Sequence, residues 1–154
     1  MVLGIKGMKI FQIIALFLIQ SCTYAQDKNL DQGVVLNSEF KIELHNNNCY
    51  LISKNFKEVL SLKPPCYFSR NNGIIEQHSY ADVKVESVFI VIGTPISKET
   101  WKEWGLKDKI ICGSDAQGVL LKNGKAKISK KILQGGVMCK DKGTDEKNFW
   151  YFAH

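Results

Sequence analysis

A chain of 154 residues with a formal charge of +6 is long enough for one domain with a proper core and leaves no room for a second domain of ordinary size. The positive charge is spread over many lysines, and Arg70 is the only arginine. Guanidinium forks dominate specific recognition of phosphates and bases, so this charge reads as a solvated lysine surface and disfavours a nucleic-acid partner.

The first segment reads as an export leader. Lys6 and Lys9 precede the apolar run from Ile10 to Ile19. That run falls short of the roughly 20 apolar residues needed to span a bilayer, and it suits the core of a secretory signal. Thr23 and Ala25 supply the small side chains that a signal peptidase requires, so a cut is expected between Ala25 and Gln26. The expected organisation is a leader over 1–25 and one exported domain over 26–154, periplasmic or extracellular. A rival reading takes Ile19-Gln20-Ser21-Cys22, which resembles a bacterial lipobox, with Cys22 lipidated and the protein a structural or assembly lipoprotein of the envelope. Gln20 departs from the small or apolar residue usual at that position.

The residues from Gln26 to Gln32 are polar and predict a loose arm. Phe40, Ile42 and Leu44 alternate with Lys41, Glu43 and His45, the period of a half-buried strand. Asn46-Asn47-Asn48 predicts a turn, and Cys49 to Ile52 the returning strand. Phe56, Val59 and Leu60 have helix-like spacing within Asn55–Leu62, a segment ended by Pro64-Pro65. A short strand at Cys66 to Phe68 follows, then an Asn71-Asn72-Gly73 turn and an extended stretch from Ile74 to Tyr80. Val83 to Glu86 alternates. Val88 to Ile92 is continuously apolar and β-branched, the pattern of a central strand buried on both faces.

Ser97 is placed to cap a helix over Lys98 to Leu106 that puts Trp101 and Trp104 on one face. Ile110 to Cys112 predicts a strand, and Cys112-Gly113-Ser114-Asp115 a turn. Asn123-Gly124 between Val119 and Ile128 predicts a hairpin. A strand at Val137 to Cys139, a polar loop from Asp141 to Asn148 and an aromatic block from Phe149 to Phe152 complete the chain. The expected fold class is mostly β (α+β): a small antiparallel sheet domain with one or two short helices, stabilised by disulfides.

Removing the leader leaves Cys49, Cys66, Cys112 and Cys139. An even number in an exported chain implies disulfides. Three pairings are possible. Cys49–Cys66 and Cys112–Cys139 are favoured because each encloses a local segment that reads as adjacent strands. No C-x-x-C pair and no histidine at ligand spacing point to zinc, and no motif points to a cofactor.

Searches for catalytic patterns find no G-x-S-x-G, no H-E-x-x-H and no phosphate loop. One constellation carries chemistry. Arg70, Glu76 and His78 lie within nine positions, with Glu76 and His78 on one face of an extended segment. In residue types this set resembles the small secreted microbial ribonucleases, which implies a glutamate base, a histidine acid and an arginine that steadies phosphate. The resemblance does not extend to spacing. The aromatics suggest binding instead: Trp101 and Trp104 on the helix, and Trp150 and Tyr151 in the terminal block, are residue types that dominate interface hot spots. The leading expectation is therefore a small exported non-catalytic protein that binds another protein, as an inhibitor or immunity-type factor blocking an enzyme or toxin. A small secreted hydrolase of ribonuclease type is the alternative.

Overall fold

The structure, a computed structural model, describes residues 28–107 and 109–154. The leader, its cut site and Cys22 lie outside the described residues.

The first four strands form an antiparallel meander: β1 (Lys28–Val35), β2 (Ser38–His45), β3 (Asn48–Ser53) and β4 (Phe56–Val59), in that spatial order. Asparagine makes the tight turns possible. Asn46 and Asn47 both take positive φ, at 48° and 59°, which matches the twist of the flanking strands. Two expectations need correction here. The polar segment read as a loose arm is largely strand β1 from Lys28 onward, paired along β2 with a bulge between Asn29 and Asp31. The helix expected over Asn55–Leu62 is instead β4, paired with β3 from Ser53↔Phe56 to Tyr50↔Val59. Two turns of helix are marginal on their own, and pairing with an existing strand outweighs the local spacing.

The chain then passes through β5 (Tyr67–Phe68), β6 (Arg70–Asn71), β7 (Ile74–Ile75) and β8 (Gln77–Tyr80). A 3-10 turn over Ala81–Val83 follows, closed by Lys84 at φ 55°. The alternation read from Val83 is thus a turn first, and strand β9 (Val85–Pro95) begins two residues later. Helix α1 covers Lys98–Glu103, with Ser97 accepting from the Thr100 amide as expected. It is shorter than predicted, since the chain turns left-handed at Gly105.

Strand β10 (Cys112–Lys122) is longer than the sequence suggested, and Ile110 and Ile111 lie outside it. Its first residues, Cys112 to Asp115, were expected to turn. They pair with β9 and with β12 (Met138–Cys139). Gly113 misleads because glycine marks turns, but here it allows close approach: a Cβ would stand 2.1 Å from the Gly93 carbonyl oxygen. Strand β11 (Lys125–Leu133) returns through the Asn123-Gly124 turn. The polar loop ends earlier than expected. Asp145 accepts from the Lys147 amide and opens helix α2 (Glu146–Ala153).

The second sheet has six strands, in the order β11-β10-β9-β5, with β12 beside β10 and β8 beside β9. Strand β9 is buried on both faces, as its apolar run predicts. Phe89 and Val91 meet Phe40, Ile42 and Leu51 of the first sheet in one core. Val88, Ile90 and Ile92 meet Phe149 and Phe152 of α2 in another. The fold is therefore three layers: sheet, sheet, helix. The disulfides are Cys49–Cys66 and Cys112–Cys139. The first ties β3 of one sheet to the residue entering β5 of the other. The second joins residues directly opposite across β10 and β12.

Candidate binding surfaces and the polar cluster beside them

Arg70 lies in β6, Glu76 in the link between β7 and β8, and His78 in β8, yet the three do not converge. The Arg70 guanidinium turns toward β1. It lies 2.8 Å from Asp31 Oδ1 and donates to the carbonyls of Gln32 and Gly73. Asp31 accepts in addition from the Phe68 amide at 3.0 Å and faces Lys140 Nζ at 3.7 Å. Glu76 turns the other way and accepts from the Thr144 amide at 2.8 Å. His78 Nε2 stands 3.8 Å from Glu76 Oε1, and its ring lies on Phe149 at 4.3 Å. Glu76 and His78 are thus neighbours, while the only guanidinium is engaged elsewhere. Among the described residues no group of three or more His, Cys, Asp or Glu side chains is placed to hold a metal ion. No described helix is long and apolar enough to cross a membrane.

Helix α2 sorts its aromatics by helical period. Phe149, Phe152 and Ala153 point inward at spacings of three and four, and Trp150 and Tyr151 point out. Trp150 is 54 % exposed and Tyr151 37 %. Trp150 stacks on His154 at 4.4 Å between ring centroids. His154 Nε2 pairs with Asp82 Oδ2 at 2.8 Å, and Tyr80 packs edge-on against the same imidazole. The hydrogen bond to Asp82 is the main reason the His154 pKa is raised, and the same bond lowers that of Asp82. Burial, and then the nearby carboxylates of Glu146 and Asp82, raise the Tyr80 hydroxyl. On the other side of the helix, Lys131 Nζ lies 4.8 Å over the Tyr151 ring and donates to the Tyr151 carbonyl.

Trp101 and Trp104 stand apart from this group. Helix α1 buries no residue, and Trp104 is 63 % exposed. It follows the Pro95 end of β9, whereas Tyr80, at the Asp82–His154 cluster, pairs with Val85 at the other end. An eleven-residue strand separates its ends by about 30 Å. The four aromatics therefore form two surfaces. The sequence reading missed Asp82, Tyr80 and His154 as companions of Trp150. The signal was weak: Tyr80 and Asp82 lie about 70 positions upstream, with no pattern linking them to the end of the chain.

Comparison with known proteins gives no match. No family model, no curated protein and no solved structure is similar to this chain.

Proposed function

We propose that this chain is an exported, non-catalytic protein that binds another protein, most concretely as an inhibitor or immunity-type factor that blocks an enzyme or toxin outside the cytoplasm. The observation that carries the reading is the exposed aromatic face of α2. Trp150 and Tyr151 are displayed to solvent, although the helix already fills its core with Phe149 and Phe152. Large, stiff aromatics displayed in this way suit interface anchors. Two disulfides cross-link the sheets that carry that helix, so the platform under it needs no ordering on docking. The leader-like N-terminus and the disulfides together favour export. The engagement of Arg70 by Asp31 and two carbonyls weighs against its use as a phosphate clamp, and so favours binding over the ribonuclease reading.

The test uses the oxidised protein and its Trp150→Ala/Tyr151→Ala variant, immobilised and exposed to periplasmic and secreted extracts. The expected result is one stoichiometric partner held by the wild type, lost on the variant, with little change in melting temperature because neither side chain is core. Equal retention by both proteins overturns the reading. So does RNA cleavage by the wild type that His78→Ala abolishes.

A further inference from the structure

From Ala116 to Lys140 the chain carries six lysines and no acidic residue. The β10–β11 hairpin gathers four of them, Lys122, Lys125, Lys127 and Lys130, around an open depression of about 530 Å³. All four are exposed, and none is in an ion pair with a described carboxylate. The depression is lined below by Leu120, Ile128 and Phe152, each less than a tenth exposed.

Lysines on an edge strand have an ordinary use, since β11 ends its sheet among the described residues and charge there discourages pairing with another chain. That use does not account for this arrangement. Lys122 belongs to β10, which is paired on both sides, and edge protection needs no apolar hollow between the charges. Unpaired cations set around an apolar floor are complementary to carboxylates flanking an apolar side chain. The depression also continues the aromatic face of α2: Phe152 lies in it and packs edge-on against Tyr151 at 5.4 Å.

We propose that this depression seats an acidic segment of the partner protein, its carboxylates on the four lysines and an apolar side chain on the floor between them. The inference rests on the binding reading and gives the partner its chemistry. Two other polyanions fit less well. Single-stranded nucleic acid binds by stacking on exposed rings, and the one ring lining the depression, Phe152, is only 3 % exposed, Trp150 and Tyr151 lying outside that lining. An anionic membrane takes up apolar groups that protrude, and these are recessed.

The probe is a synthetic peptide with Asp and Glu on both sides of a central Leu-Phe pair, titrated into the isotope-labelled, oxidised full chain and followed by amide chemical shifts. Shifts are expected at Lys122 to Lys130 and at Phe152, with affinity falling as salt rises. Lys125→Glu/Lys127→Glu should weaken binding about tenfold or more. Both substitutions are at exposed positions, and near-ultraviolet circular dichroism confirms the fold. Replacing the Leu-Phe pair by Gly-Gly should weaken binding by a similar factor. The inference is overturned if the peptide leaves the hairpin unshifted, if the charge-reversed variant binds as well, or if polyuridine or phosphatidylglycerol vesicles occupy the site in its place. Should the hairpin fail while the Trp150/Tyr151-dependent partner is still captured, the acidic-segment inference falls and the binding reading stands. Loss of both results removes both.

Discussion

Arg70 and Asp31 meet across 39 positions with side chains only 12 % and 7 % exposed. Removing one partner of such a pair strands the other charge in a poorly solvated place. Arg70→Met is therefore expected to destabilise the fold by about 3 kcal/mol, read from the urea midpoint. A guanidinium kept free for substrate would leave stability nearly unchanged on the same substitution. The pair at the end of α2 has a different signature, because it titrates. The His154 pKa is raised from its usual 6.5, so its contribution to stability is complete below 6.5 and is lost as pH rises through the raised value. The Asp82 pKa is lowered from 3.8, so its contribution is present above 3.8 and is lost as pH falls through the lowered value. The contact is thus strongest between those two ordinary values and loosens toward alkaline pH. Proton NMR of the His154 ring should show a midpoint above 6.5 in the wild type, and Asp82→Asn should bring it down. Neither pair was legible in the sequence. Asp31 sits in a polar stretch that looked like an arm, and Asp82 falls between two stretches read as extended. Nothing local marks a partner 39 or 72 residues away.

At the scale of elements, what was legible was what is encoded locally. The Asn-rich and Asn-Gly turns, the alternation of β2 and the Ser97 cap each lie within a few residues of the structure they specify. The errors fall where contacts from afar decide. Residues 56–59 have helical spacing but pair with β3, and the glycine of Cys112-Gly113-Ser114-Asp115 serves close packing instead of a turn. Helix α2 was hidden because four consecutive aromatics fit a strand as readily as a helix. Its seat depends on one small residue. A Cβ on Gly118 would lie 2.4 Å from Phe152 Cγ, so Gly118→Ala must displace one side of this contact, and the eight-residue helix is the side expected to move. Overpacking of this kind costs about 1–3 kcal/mol. The expected result is a lower melting temperature together with a His154 titration shifted toward its ordinary value, since that residue moves with the helix. A variant that melts earlier with an unchanged His154 midpoint would show that the sheet, and not the helix, absorbed the strain.

For the molecule as a whole, composition and periodicity indicated an antiparallel β protein with short helices, and the apolar run of β9 marked the strand that two cores share. They did not show which element covers the second face of that strand. The proposed site was legible only as ingredients: Trp150 and Tyr151 as aromatics, the hairpin as a lysine-rich stretch. Which rings face outward, and which lysines surround a hollow, depends on the layering. That layering is also unevenly fastened. Both covalent ties lie in or between the sheets, and neither reaches α2. The helix is eight residues long and is held through apolar contacts, a lysine and a titrating contact to Asp82. Local opening draws on the least secured unit first. The smallest layer is therefore the one expected to open first: amide exchange should be faster over 146–153 than along β9, and the face proposed for binding would be lost and regained while the cross-linked sheets stay folded.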